Sequence, residues 1–198
     1  MTKFSVIIPV YNREKLIKRA IESVIHQSYK NWECIVIDDN STDLTRESIN
    51  NYIKNDSRIK IFSSKKPACG APACRNIGIK KSTGTYIIFL DSDDFFMPWA
   101  LDKRHLYIEK NPKINFFLSQ GLNYEQKGKL RLRGNPKKKD YINEFITFQT
   151  AFQTTAPTWH KSFLINVGMW NEDIKRWQDP EIHIRALMKM KNVEWNKS

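Results

Sequence analysis

The first 90 residues alternate two hydrophobic periods, and this alternation limits the fold more than any other feature. Four short apolar runs, FSVIIP (4–9), ECIVID (33–38), RIKIF (58–62) and TYIIFL (85–90), have the length and content of strands. Between the first two, Leu16, Ile17, Ala20, Ile21, Val24 and Ile25 recur at helical spacing. Leu44, Ile49, Tyr52 and Ile53 form a weaker helical stripe, and residues 74–81 read as a short helix. Asn12 is placed to cap the first helix, with Glu14 in its first turn, and residues 40–43 (NSTD) supply the next turn and cap. Strand following helix following strand predicts an α/β chain with a mostly parallel sheet and helices on both faces.

The second half is less regular. Residues 98–110 read as a helix with Pro98 near its first turn, 114–119 as a strand and 141–148 as a short helix. Residues 161–167 stop at Gly168, and 179–190 form the last predicted helix. No linker interrupts the chain, and its 198 residues suffice for one sizeable core. The reading is a single domain over 1–198, with a regular half (1–110) and an irregular half (111–198). No apolar run approaches the ~18 residues of a membrane-spanning helix, and MTKFSVIIPVYNRE lacks the pattern of a secretory signal. A cytoplasmic location is expected.

In open parallel sheets, ligands bind outside the carboxyl ends of the strands. Three strand ends carry polar residues there: Pro9, Tyr11 and Asn12; Asp38 and Asp39; and Asp91, Asp93 and Asp94 of FLDSDDFFMP. The chain has a formal net charge of +12, yet sets its tightest carboxylate cluster at the end of its most apolar segment. Hard divalent cations take such oxygens, and magnesium sites commonly combine one or two carboxylates with substrate phosphates. Manganese suits the same ligands. A metal-bridged diphosphate is the ligand this pattern predicts. The chain has no G-x-x-x-x-G-K-[ST] loop, no G-x-G-x-x-G fingerprint and no G-x-S-x-G elbow. Its three cysteines include Cys34 in a predicted buried strand. Cys69 and Cys74, five apart, lack the His or second Cys pair of a zinc spacing.

Taken together, IIPVYN, DDNSTD, RNIGI, FLDSDD and WQDPEIHIR resemble, in that order, family 2 glycosyltransferases of the Rossmann-like GT-A fold. The resemblance extends along the chain and is weakest over 112–150. It implies an inverting, hexosyl-type transferase of cell-surface polysaccharide synthesis. The donor would be a nucleotide-diphosphate sugar, a UDP-sugar first, and the acceptor a saccharide or lipid-linked saccharide. By position, Pro9, Val10, Tyr11 and Asn12 would line the nucleotide pocket, and Asp39 would hold the base. Arg75 would face the nucleotide side, Asp91 and Ser92 the ribose and sugar, and Asp93 would bind Mn2+ or Mg2+. The family's catalytic base opens a late helix; Gln178-Asp179 stands at that place, which assigns the base to Asp179, with Glu181 as the fallback. The regular half would bind the donor and the irregular half the acceptor.

Each residue also has a plainer reading. Asp39 would serve a capping network with Ser41 and Thr42, and Arg75 would balance Asp39 or Asp91. Asp179 would be a first-turn acid favoured by the helix dipole, with Pro180 beside it. Trp159, Trp170 and Trp177 would be core. Many relatives continue beyond the last predicted helix, so a truncated domain that binds nucleotide but transfers poorly is one alternative. The basic run 127–139 is expected to touch an anionic membrane surface at its inner, cytoplasmic face. It carries no nucleic-acid-binding signature, so no nucleic-acid partner is expected; a basic nucleic-acid module is the remaining alternative.

Overall fold

The computed structural model describes residues 2–124, 130–133, 140–147, 152–190 and 195–196. The regular half runs β1 (Phe4–Val10), α1 (Ile17–Ile25), β2 (Trp32–Asp38), α2 (Thr45–Asn55), β3 (Ile59–Ser63), α3 (Gly70–Lys81), β4 (Tyr86–Phe89) and α4 (Ala100–Lys110). Then follow β5 (Phe116–Ser119), β6 (Gly121–Tyr124), β7 (Leu130–Arg133), α5 (Tyr141–Ile146), β8 (Pro157–His160), α6 (Lys161–Val167), α7 (Gln178–Met188) and β9 (Trp195–Asn196).

The main sheet has the order β3-β2-β1-β4-β8-β5-β9, and β6 pairs with β7 in a separate hairpin. β1 to β4 are mutually parallel, and β8 runs antiparallel to both β4 and β5. The expected mixed α/β, mostly parallel architecture is therefore present. Helices cover both faces. Val6, Ile8 and Val36 pack with α1, Ile49 of α2 and Leu101 and Ile108 of α4. Ile7, Ile35 and Phe89 pack with α3, α5, α6 and α7 on the other face. Every residue of β1 and β2 is buried, which explains their unbroken apolar runs.

Registry brings the strand ends to one edge. Val10 pairs with Asp38, and Ile7 with Phe89. The Asp39 N–H then donates to Val10 O at 2.8 Å, and the Leu90 N–H to Ile7 O at 3.0 Å. The loops after β1, β2 and β4 thus leave the sheet side by side.

Three local expectations change. Asn12 does not cap α1, which begins at Ile17; with φ at 50°, it turns its amide to the neighbouring loop. Its Oδ1 accepts from the Thr42 N–H at 2.8 Å, and its own N–H donates to Ser41 Oγ at 3.0 Å. α3 begins at Gly70, four residues early, because Pro72 falls in its first turn, where no N–H is needed. The sequence pattern marks no strand at 157–160, yet β8 forms there and carries the fully buried Trp159. Arg104 of α4 holds β8: Nε donates to Thr158 Oγ1 and Nη2 to Thr155 O, both at 3.0 Å.

The position of α3 depends on one glycine. A Cβ on Gly78 would lie 2.4 Å from Ile7 Cγ2, so the helix reaches β1 only without a side chain there. α3 is the element that carries Arg75 to the sheet edge.

Candidate functional site

Two adjoining clefts open at this edge, about 660 and 470 Å3, both in the ~300–1,000 Å3 range of small-ligand pockets. Arg75, Asp91 and Asp93 line both and form the seam between them.

The smaller cleft gathers residues from the ends of β1, β2 and β4. Pro9, Val10 and Tyr11 form one wall, Asp39 and the turn at Ala68, Gly70 and Ala71 another, and Asp91, Ser92 and Asp93 the third. Tyr11 is half exposed, its ring available for stacking. Of the residues predicted for a nucleotide, only Asn12 lies outside the lining; it braces the 41–42 loop instead. Asp38 is fully engaged behind the wall, accepting from the Ser41 N–H and hydroxyl and from Arg46.

Asp39 is buried and crowded with donors. It accepts from Gly70 N–H at 2.9 Å, Cys69 N–H at 3.1 Å and the Ser64 hydroxyl at 2.8 Å. Burial would raise its pKa; the Gly70 N–H, the Cys69 thiol and the Ser64 hydroxyl more than reverse that, so it stays ionised. The expected capping role with Ser41 and Thr42 belongs to Asp38 and Asn12, not Asp39.

The larger cleft is built between halves. Asp91, Asp93 and Asp94 face Phe145, Phe152, Gln153 and Thr154 on one side. Lys175, Arg176, Trp177, Gln178 and Asp179 close the other. Arg75 is the link. Its Nη2 lies 2.7 Å from Asp91 Oδ1, its Nη1 3.5 Å from Asp179 Oδ1, and its guanidinium stacks 4.3 Å from the Trp170 ring centroid. The next residue, Asn76, holds Trp170 in place: it accepts from the Trp170 N–H and donates to the Trp170 carbonyl and to Glu172. Trp170 and Trp159 are core, as read from sequence; Trp177 is exposed at the cleft, in the left-handed region at φ 62°.

Glu181, the fallback base, is committed elsewhere. Arg185 donates to both of its oxygens and also to the carbonyls of Val167 and Met169. His183 is fully buried against Phe145 and Phe152, and burial pushes its pKa down to about 3.

The loop after β4 concentrates negative charge. Burial raises the Asp91 carboxyl above its ordinary range against the pull of Arg75. Burial and the charges of Asp91 and Asp93 push Asp94 up to about 6. Asp93 itself is exposed, and its backbone carbonyl accepts from the Arg19 guanidinium. Three hard oxygen donors in this setting fit a divalent cation. They do not form a closed protein cage. Among the described residues, the group of three His, Cys, Asp or Glu side chains with ligand atoms within 4.8 Å is Asp39, Cys69 and Cys74. An open site of one or two carboxylates completed by ligand phosphates is the magnesium-type arrangement.

Sequence reading missed Arg13, Ala68 and Gly70 of the smaller cleft, and Phe145, Phe152, Lys175 and Arg176 of the larger. The Gly70-Ala71 pair that opens α3 was the available signal, since small residues mark a close backbone approach. The basic run at 137–139 lies outside the described residues. Among the described residues, no helix is long and apolar enough to cross a membrane.

Comparison with known proteins agrees with this geometry. The profile of glycosyl transferase family 2 matches residues 5–173. An uncharacterized glycosyltransferase of Haemophilus influenzae is 39% identical over 142 residues, covering 72% of this chain and 56% of that protein. The Escherichia coli enzyme WfgD, a UDP-Glc:alpha-D-GlcNAc-diphosphoundecaprenol beta-1,3-glucosyltransferase, is 41% identical over 121 residues, 61% of this chain and 45% of its own. The chain thus spans about half the length of these relatives. Among solved structures, S. aureus TarS in complex with UDP superposes with a TM-score of 0.79 at 23% identity, over 98% of this chain and 57% of TarS. The fold, the order of the strand-end motifs and the profile match over most of the length place this chain in glycosyl transferase family 2, with the GT-A fold.

Proposed function

We propose that the chain transfers a hexosyl group from a nucleotide-diphosphate sugar, a UDP-sugar first, to an acceptor hydroxyl with inversion, in the assembly of a bacterial cell-surface glycan. The observation that carries the reading is the shared seam: one cleft fits a nucleotide, the other holds Asp179, and Arg75, Asp91 and Asp93 belong to both.

In this reading the nucleotide lies in the smaller cleft, its base between Tyr11 and Asp39. Asp91 and Ser92 meet the ribose and sugar. The diphosphate reaches the seam, where Asp93 would hold Mn2+ or Mg2+, with Asp94 beside it. Bound there, the cation would supply charge neutralisation for the departing diphosphate. Arg75 contributes a fixed positive charge at the same place, and Lys175 and Arg176 line the far wall. The acceptor enters the larger cleft, where Asp179 takes the proton from its hydroxyl as general base. Arg75, 3.5 Å away, holds the carboxylate in place. Attack on one sugar face with departure from the other inverts the anomeric centre and needs no covalent intermediate.

Relatives supply the finer proposals. TarS has been solved with UDP-GlcNAc, a mannosyltransferase of Pyrobaculum calidifontis with GDP-Man and Mn2+, and the name of WfgD gives a diphosphoundecaprenol-linked acceptor. A lipid-linked saccharide is the acceptor class proposed here, reached from the cytoplasmic face of the membrane. The basic run at 127–139 is proposed to rest on its anionic surface. Vesicle co-sedimentation unchanged after neutralising Lys137, Lys138 and Lys139 would remove that contact.

Calorimetric titration of UDP and GDP, with and without Mn2+, tests the reading on the wild type and Asp93→Ala. Metal-dependent UDP binding, lost in the variant, is expected. Folded protein that binds neither nucleotide overturns it.

A further inference from the structure

Beside the smaller cleft lies a second cluster of ligating side chains, whose two thiols the proposed chemistry does not use. The cysteines that sequence spacing left apart are brought together. The Cys69 and Cys74 sulfurs lie 3.8 Å from each other, and Cys69 Sγ lies 3.1 Å from Asp39 Oδ1. All three ligand atoms fall within 4.8 Å of one another. The turn at Ala68 (φ 53°) and Gly70 (φ 84°) folds Cys69 back over α3 toward Cys74.

The separations decide what such a cluster suits. A disulfide needs sulfurs at about 2.05 Å, far closer than these. A tetrahedral zinc with bonds of about 2.3 Å sets its two sulfurs about 3.8 Å apart, the spacing present here. Its carboxylate oxygen would stand about 3.6 Å from each sulfur, so Asp39 would back off from Cys69 by about half an ångström, with Cys74 Sγ within 4.8 Å of it. Asp39 and Cys74 also line the cleft, which leaves room for a fourth ligand. The hard-donor cluster after β4 contains no sulfur, so the two sites sort cations by type.

We infer that Asp39, Cys69 and Cys74 form a three-ligand site for a thiophilic divalent cation such as Zn2+ or Cd2+, separate from the oxygen site at Asp93. Burial raises the pKa of both thiols, so each releases its proton to solvent as the cation binds. A cation there takes the Asp39 carboxylate away from any nucleotide base. That antagonism rests on the function proposed above; the binding of the cation does not.

The test is a Cd2+ titration of the reduced protein without nucleotide, read by the ultraviolet sulfur-to-cadmium charge-transfer band. The band should saturate at one equivalent. It should vanish in the Cys69→Ser/Cys74→Ser double variant, in which Cys34 remains as the background. Asp39→Asn keeps both thiols and one of the two carboxylate acceptors that receive the Cys69 and Gly70 N–H groups. Loss of one direct ligand should weaken Cd2+ binding by about 10–100-fold or more, the range seen for outer-shell partners. No saturating band in the wild type, or an equal band in the double variant, overturns the site, and the wild-type result stands even if a variant fails to fold. UDP calorimetry with one equivalent of Zn2+ then reads the antagonism. Weaker UDP binding in the wild type alone supports it, and unchanged UDP affinity overturns it. Absence of UDP binding in metal-free and Mn2+ buffers counts against the proposed function and leaves the Cd2+ result in force.

Discussion

Arg75 stands between two carboxylates from opposite halves of the chain, 2.7 Å from Asp91 and 3.5 Å from Asp179, with the Trp170 ring against its guanidinium. It is almost fully buried, while each acid is more than a third exposed. Removing one partner of a buried pair costs about 3–5 kcal/mol, and solvent reduces that here to roughly 1–3 kcal/mol. Arg75→Met should lose stability in that range. Arg75→Lys should recover little, because it lacks the planar fork and the stack. Adding Asp91→Asn to Arg75→Met should restore part of the loss. A double-mutant cycle by urea denaturation checks the coupling.

Asp179→Asn preserves shape and removes the base. Turnover should fall by about 10²–10⁴-fold while UDP affinity holds. Parallel calorimetry and transfer assays separate the two; intact turnover would return the base to another residue.

Gly78→Ala places a methyl 2.4 Å from Ile7 Cγ2 on a fully buried strand. Overpacking of this kind costs about 1–3 kcal/mol. A lowered thermal midpoint is expected, together with weaker UDP binding, because the shifted helix carries Arg75. An unchanged midpoint would show that α3 does not need this close approach.

Glu33 gives the acid limb of the stability profile. Burial alone would raise its pKa, but the Thr83 N–H, the Ser5 and Thr83 hydroxyls and Lys60 bring it from 4.5 down to about 2. A folded pKa below the unfolded one stabilises fully above about 4.5, and the contribution fades as pH falls toward 2. The stability gap between wild type and Glu33→Gln should therefore close by roughly 3 kcal/mol over that window. A gap independent of pH would mean that Glu33 is not held in this network.

The strand-and-helix rhythm of the first half was legible because β1, β2 and β4 are buried on both faces and leave unbroken apolar runs. β8 was not: Pro157-Thr158-Trp159-His160 is a strand only because β4 and β5 lie ready on either side of it. Asn12 looked like a cap because capping residues and loop braces share the same chemistry; its partner at Thr42, thirty residues on, decides between them. The acids after β4 were visible from their position, whereas the proximity of Arg75 to Asp179 depends on how α7 docks. The convergence of Cys69 and Cys74 was hidden for a related reason: the positive-φ turn before α3 cannot be read from spacing.

The antiparallel β8 also bears on how such a chain can diversify. Residues 157–160 neighbour β4, so the sheet passes from one half of the chain to the other through them. Removing 111–198 as a block would strip β4 of one of its two hydrogen-bonding neighbours and leave a raw strand edge, a template for self-association. Swaps meant to redirect what enters the larger cleft must therefore be cut around Pro157–His160 and keep its buried clamp, Arg104. On this scaffold, new specificity arises by trading loops around a retained strand, not by exchanging modules.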